Sequence, residues 1–144
     1  MNVTEFAEQI VFGTTLEEKL AAPGDLDFSE VTEVSTVVQS ISAPGRPPGL
    51  AMQSIAGKNL KPPRDENLGN DLERGQLLHF LANHELLATE LMALVLLKFP
   101  NAPYAFRRGV LVTLQEEQEH TRMYVRRMKE CGVEFGSYPL SGQF

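Results

Sequence analysis

Two long proline-free segments, separated by one short proline-bounded turn, restrict this chain more than any other feature. Residues 70–99 contain no proline, Pro100 follows at once, and a second such segment runs from the end of "PNAP" to Gly132. Asn70 with Glu73 three residues later is the pattern of a capping box at the start of a helix. Proline and glycine at the far ends are typical helix terminators. We therefore predict two long helices that form an antiparallel hairpin.

The chain before the hairpin has a different character. Residues 3–12 and 14–22 have the patterns of two short helices, and six of the nine prolines lie within residues 23–69. We expect this proline-rich segment to be an extended arm that lies over the helices, and its run at 31–41 is also compatible with a strand. The predicted fold is a single all-α domain made of short N-terminal helices at 1–22, the arm at 23–69 and the hairpin at 70–144.

Composition limits the classes of partner. A chain of 144 residues with 42% hydrophobic residues fits one domain, and its net charge of −6 argues against binding to duplex nucleic acid or to an anionic membrane surface. The single cysteine, Cys131, excludes an intramolecular disulfide, and the N-terminal segment carries acids where a signal peptide needs basic residues. The most apolar run, "LLATELMALVLL", contains Glu90 and is too short to span a membrane. We expect a cytoplasmic protein with neither a nucleic-acid nor a membrane partner.

Helical periodicity at 100° per residue shows which side chains share a face. In the first long helix, a polar stripe that includes a solvated His79 consists of Gln76, His79, Asn83 and Glu90. The inward face of that helix has Glu85 in its middle and otherwise consists of Leu78, Leu81, Ala82, Ala88, Thr89, Met92 and Leu96. In the second helix we expect Arg108, Gln115, Glu119, Arg122, Arg126 and Lys129 in solvent, and Phe106, Val110, Thr113, Leu114, Tyr124, Met128 and Cys131 facing inward. Glu117 and His120 fall within that second inward face.

Metal ligation is the chemistry that fits Glu85, Glu117 and His120. An unpaired carboxylate is costly to bury, so two of them on facing apolar surfaces need cations, protons or other strong partners. Glu117 and His120 are three residues apart, so both project from one side of the helix and can bind the same ion. In four-helix bundles with two iron or manganese ions, two helices contribute one Glu each and the other two contribute a Glu-x-x-His pair each. A buried ionic or hydrogen-bonded network of the same side chains is the alternative.

The segment "LLHFLANHELLATELMALVLLKFPNAPYAFRRGVLVTLQEEQEHTRMYVRRMKECGVEFG", with "PGRPPGL" before it, resembles a bacterial ferritin-like family whose domain is of unknown function. The resemblance covers roughly residues 40–144. It implies a ferritin-like protein of the di-iron carboxylate superfamily, with Glu85, Glu117 and His120 as ligands of iron or manganese. Such proteins continue with a third helix bearing an acid and a fourth bearing a second Glu-x-x-His, whereas this chain ends at "YPLSGQF". We expect it to resemble the N-terminal half of the family and the first half of the site.

Two further side chains lie next to these ligands along the helices. His84 is at the edge of the inward face, where it either hydrogen-bonds to a carboxylate or packs at an interface. Tyr124 follows His120 by about one turn and is either a core aromatic or a hydrogen-bonding neighbour of the site.

Two classes of function are compatible with the sequence. The first is a di-iron or di-manganese carboxylate protein that binds metal or activates dioxygen as an oxidase or hydroxylase does, with no substrate legible in the sequence. The second is a non-catalytic helical interaction or structural module that has lost a metal site. We expect a homodimer through the apolar faces of the hairpin, because one chain supplies only half of a di-metal ligand set. The alternative is that the chain was shortened from a longer ferritin-like protein.

Overall fold

Two antiparallel helices form the frame of the structure, a computed structural model that describes residues 1–28, 34–52 and 68–141, apart from the side chain of Thr36. The helices are α1 (Val3–Phe12), α2 (Leu16–Leu20), α3 (Thr36–Gln39), α4 (Asp71–Lys98) and α5 (Tyr104–Glu130), with a 3-10 turn at Pro48–Leu50. Within the described ranges there is no strand, and α4 packs along α5. The predicted all-α hairpin is confirmed.

The ends of the long helices follow from local sequence. The Asn70 side chain accepts a hydrogen bond from the backbone N–H of Glu73 at 2.9 Å, so it caps α4 as predicted. Pro103 stands just before α5, and Gly132, whose φ of +83° suits glycine, follows its last turn. These signals act within a few residues, which is why the sequence alone indicates them.

Over its described residues, 34–41, the run at 31–41 is not a strand. Residues 31–33 lie outside the described part of the chain, and the following residues form the single turn of α3. The Ser35 hydroxyl accepts a hydrogen bond from the backbone N–H of Val38 at 3.2 Å, which favours a helical turn over an extended conformation. Val38 is buried in the core, so this turn places one apolar side chain against the helices.

One apolar core joins α1 to the hairpin. Phe6 and Ile10 of α1 pack against the C-terminal half of α4 and the N-terminal half of α5, where Ala93, Leu96 and Leu114 are buried. Burial of a large apolar side chain contributes about 1.5–3 kcal/mol, so these contacts hold α1 on one side of the hairpin.

The C-terminal end of α2 is bound to α5 by hydrogen bonds from side chains. Gln118 Nε2 donates to the backbone oxygens of Lys19 at 3.0 Å and Ala21 at 2.9 Å, and Arg122 donates to the backbone oxygen of Leu20. The last carbonyls of a helix lack partners within the helix, and these donors satisfy them. Arg122, expected in solvent, is therefore half-buried.

The covered side of the hairpin differs from the side that periodicity predicted. Three residues of the predicted polar stripe are almost fully buried: His79 is 3% exposed, Asn83 is 4% exposed and Glu90 is 4% exposed. The N-terminal helices, the proline-rich arm and the C-terminal segment supply hydrogen bonds to this stripe, and so they cover it. Leu114, Met128 and Cys131 are buried as predicted.

The opposite side of the hairpin is left partly in solvent. Phe106 and His120, predicted to face inward, are exposed, as is Thr113. The physical reason is that α1, α2 and the arm pack on the other side. We call this surface the open face, and it consists of Glu85, Met92, Phe106, Thr113, Glu117 and His120.

By length and composition alone, α4 is apolar enough to cross a membrane, and it is longer than the apolar run singled out in the sequence. Core helices of soluble proteins pass the same test. Here α4 packs against α1 and α5 and carries the buried Glu90, which is the arrangement of a core helix.

Candidate metal centre

The register of the hairpin brings the three predicted ligands together. Glu85 comes from the middle of α4, and Glu117 and His120 come from the middle of α5. His120 Nδ1 lies 3.6 Å from Glu117 Oε2 and 3.8 Å from Glu85 Oε2. One ligand atom from each residue lies within 4.8 Å of the other two. The structure thus brings the carboxyl group of Glu85 in α4 close to the carboxyl group and the imidazole of two residues in α5.

The spacing of these atoms is compatible with ligands of one metal ion. Both distances to His120 Nδ1 exceed the range of an ordinary N–H···O hydrogen bond. Ligand bonds of about 2.1 Å place two ligands of one ion roughly 3 to 4 Å apart, depending on the angle between them. Small side-chain rotations would bring all three atoms to such positions. The donor set therefore fits a first-row transition metal.

The pKa of Glu85 is raised to about 7 from an ordinary value of 4.5. Partial burial is the largest cause, and hydrogen bonding and like charge from the neighbouring Glu117 add to it, whereas His120 acts in the opposite direction. In the metal-free protein a proton on Glu85 thus relieves the crowding of the two carboxyls. A cation in the same position would relieve it as well.

Both acids are also anchored through their backbone. Thr89 Oγ1 donates to the carbonyl oxygen of Glu85 at 3.0 Å, and Thr121 Oγ1 donates to that of Glu117 at 2.8 Å. Both threonines are fully buried, so each acid stands on a part of its helix that is fixed by core packing. The carboxylates themselves are only partly covered, with 24% of the Glu85 side chain and 20% of the Glu117 side chain exposed. The His120 side chain is 49% exposed.

The two neighbouring candidates occupy different surroundings. His84 is exposed and meets the ring of Phe80 edge-on, with the ring centroids 6.0 Å apart. Tyr124 is half-buried and packs against the cluster formed by Ala82, Met128 and Val133. Among the described residues, the group that could hold a metal consists of Glu85, Glu117 and His120.

Sequence reasoning missed a buried charge network on the other side of α4. The Glu90 carboxylate accepts hydrogen bonds from Lys19 and Arg46. Lys19 Nζ lies 2.7 Å from Glu90 Oε2, Arg46 Nε lies 2.8 Å from the same oxygen, and Arg46 Nη2 donates to Oε1. Arg46 Nη1 also donates to Asn83 Oδ1 at 2.9 Å and to the backbone oxygen of Leu50 at 3.2 Å. The sequence did contain one signal of this network, because Glu90 lies inside the most apolar run of the chain. A carboxylate that is buried with such a run needs buried cations or hydrogen-bond donors.

This network also shows what a satisfied buried carboxylate looks like in the same protein. The pKa of Lys19 is lowered by desolvation, an effect that the charge and hydrogen bond of Glu90 oppose. Every distance from Glu90 to its cations is that of a hydrogen bond, whereas the distances from His120 to its two acids are longer. The two groups of charged residues thus differ in geometry: Glu90 is hydrogen-bonded to its cations, whereas His120 lies beyond hydrogen-bond distance from both of its acids.

His79, predicted to be solvated, is instead a buried hydrogen-bond acceptor. Its Nε2 accepts from the backbone N–H of Gly136 at 3.0 Å, and the ring packs edge-on against Phe135 and Tyr138. Desolvation lowers the pKa of His79, which favours the neutral imidazole that this contact requires. The residue fixes the segment after α5 against α4, and its acceptor nitrogen is engaged there.

A cavity of about 170 Å³ lies between α1, the arm and α4. Its lining is mostly apolar and includes Val11, Ile41, Pro44, Leu91, Leu94 and Glu90. Helical periodicity puts Glu90, Leu91 and Leu94 on the side of α4 away from Glu85, so this cavity is separate from the group formed by Glu85, Glu117 and His120.

Comparison with known proteins yields one family. The sequence profile of that family matches residues 8–144, which is nearly the whole chain and includes all three residues of the cluster. No curated protein matches, and no solved structure matches.

Proposed function

The chain belongs to the family described as "Protein of unknown function (DUF455)", and from that premise and the hairpin geometry we propose that it binds a transition metal through Glu85, Glu117 and His120. Two carboxylates and an imidazole suit iron or manganese, which we propose as the metal. The observation that carries the proposal is the spacing of the three ligand atoms, which is too wide for a tight ion pair and fits one coordinated ion.

The proposal in full is a ferritin-like di-iron or di-manganese carboxylate protein, of which this hairpin supplies half of the ligands. A bound ion of this kind is a Lewis acid and, in the case of iron, can exchange electrons with dioxygen. Glu85 and Glu117 would hold it as anionic ligands, and His120 would hold it through a neutral nitrogen. The partial exposure of all three leaves room for solvent or a small substrate, and an oxidase- or hydroxylase-like activity is the catalytic form of the proposal.

A helical interaction module without chemistry is the second candidate. It is favoured by Phe106, which is 52% exposed on the same face of the hairpin as the ligands. Aromatic side chains contribute strongly to a protein–protein contact when a partner buries them. In that case Glu85, Glu117 and His120 would form only a polar centre within the contact.

Metal binding by variants of α5 separates the two candidates. We expect protein purified without chelator to contain iron or manganese, and metal-free protein to bind manganese(II), or iron(II) under anaerobic conditions, in an equilibrium titration. Glu117→Ala and His120→Ala should weaken this binding by more than about 100-fold, the upper range for residues that merely support a ligand. Glu116→Ala is the matched control, because Glu116 is an exposed acid beside Glu117. Equal metal affinity of Glu116→Ala and Glu117→Ala would exclude the site and favour the interaction module.

A further inference from the structure

We propose that the cavity between α1, the arm and α4 binds a small neutral molecule that has an apolar body the size of a single ring and a hydroxyl group directed at Glu90. Phenol is the simplest molecule of this class. The proposal goes beyond the metal site and does not depend on it. Three observations carry it: the fixed frame of the cavity, the size and apolar character of its lining, and the charges around Glu90.

The frame of the cavity is fixed at both edges of the arm. The backbone N–H of Gly45 donates to the carbonyl oxygen of Val11 at 2.8 Å, which holds the arm on α1. A Cβ atom at position 45 would lie only 2.5 Å from the backbone oxygen of Phe12, so glycine permits this close approach. On the other edge, Arg46 binds Glu90 of α4. Ligand cavities are usually preformed, and these contacts give this one a fixed shape.

The size and lining of the cavity suit an apolar body. Its apolar walls come from α4 and from the arm, and they include Leu87, Leu91, Leu94, Ile41 and Pro44. An apolar cavity of about 150 Å³ can hold a benzene molecule, so a volume of about 170 Å³ is sufficient for one ring or a short aliphatic chain. Leu91 is 54% exposed, so the cavity opens to solvent beside it.

Glu90 gives the cavity a hydrogen-bond acceptor. It is part of the lining, and its side chain is 3% exposed. Among the described residues, its donors are Lys19 Nζ and the Nε and Nη2 atoms of Arg46. A carboxylate can accept about four hydrogen bonds, so these donors leave one acceptor position. A hydroxyl group of a molecule in the cavity would fill this position.

The charges favour a neutral donor over an ion. A carboxylate on the ligand would meet the like charge of Glu90 in a mostly apolar cavity, where repulsion between charges is strong. An ammonium group on the ligand would meet Lys19 and Arg46, which already surround Glu90. A hydroxyl group meets neither repulsion, and its hydrogen bond to a charged acceptor is stronger than one between neutral groups.

A titration of the full chain in EDTA, followed by two-dimensional amide NMR, tests the proposal with phenol, toluene, benzoate and benzylamine as probes. We expect phenol to bind with a Kd of about 1 mM, within the range for so small a molecule. The amide signals of Ala43 and Leu94 should shift, whereas those of Glu117 and His120 should stay in place. Absence of phenol binding, or shifts confined to Glu117 and His120, would overturn the proposal.

The other probes test the role given to Glu90. Toluene has a methyl group in place of the hydroxyl of phenol, and a cavity without an acceptor would favour toluene because the buried hydroxyl would lose its water. We therefore expect phenol to bind at least as tightly as toluene. Benzoate and protonated benzylamine should bind about tenfold more weakly than phenol, or more weakly still. Tighter binding of toluene or of either ion would overturn the assignment of a neutral hydroxyl ligand.

Two tryptophan substitutions close the cavity from different elements. Ala43→Trp fills it from the arm and Leu91→Trp from α4, and both positions are exposed, so the fold should tolerate them. Each should weaken phenol binding by about tenfold or more. Val112→Trp is the matched control, because Val112 is 43% exposed on α5 and lies outside the lining. Circular dichroism checks the fold, and either cavity variant is sufficient for the comparison. Equal phenol affinity of a folded cavity variant and the control would show that phenol binds elsewhere.

Discussion

Lys19 Nζ lies 2.7 Å from Glu90 Oε2, and neither side chain is more than 3% exposed. The same ammonium group donates to the backbone oxygen of Ile10 at 2.6 Å, and Arg46 binds Glu90 from the arm. These partners come from α1, α2, the arm and α4, so one carboxylate joins the covering layer to the hairpin. Its position explains which side of the hairpin is covered and which side is left for the candidate site.

Replacement of Glu90 by leucine should destabilise the protein strongly. Glu90→Leu leaves Lys19 and Arg46 buried without their counter-charge, and removal of one partner from a buried ion pair costs about 3–5 kcal/mol. That is a large part of the stability of a typical domain. Urea unfolding in EDTA measures the loss. Glu116→Leu, at an exposed position of α5, should stay within about 0.5 kcal/mol of the unmodified protein. A similar loss in both variants would contradict the role given to the network.

His79 should contribute to stability and not to metal binding. His79→Phe keeps an aromatic ring against Phe135 and Tyr138 but removes the acceptor for the Gly136 N–H, and we expect a loss of about 1–3 kcal/mol. Hydrogen exchange at the Gly136 amide should accelerate in the variant, while its manganese affinity stays unchanged. If stability and exchange were both unaffected, His79 would be in solvent, as periodicity suggested.

The pH dependence of the metal-free protein should reveal Glu85. Its folded pKa of about 7 lies above the ordinary 4.5, so the folded state retains a proton that the unfolded state releases. This contribution to stability is present in full below pH 4.5 and is lost as pH rises through about 7. Urea unfolding of the unmodified protein and of Glu85→Gln in EDTA measures it. The variant should gain relative stability between about pH 4 and about pH 8. A constant difference across that range would show that Glu85 is not perturbed.

The hairpin and the spacing of Glu117 and His120 were determined by the sequence alone. Asn70, Pro100 and Gly132 act on their immediate neighbours, and a separation of three residues places two side chains on one side of any helix. Such local rules need no knowledge of the rest of the chain. They were sufficient for the all-α hairpin and for placing Glu117 and His120 on one side of α5.

Only the tertiary structure decided which side of that hairpin is covered. Periodicity divides a helix into polar and apolar sides, but Lys19 and Arg46, distant in sequence, make the polar side of α4 a buried one by neutralising Glu90. The approach of Glu85 to His120 depends likewise on how α4 and α5 are aligned. Gly75 allows Val133 to pack closely against α4, where a Cβ atom would collide with it. Charges and close contacts between distant segments set these relations, and a helical pattern carries no record of them.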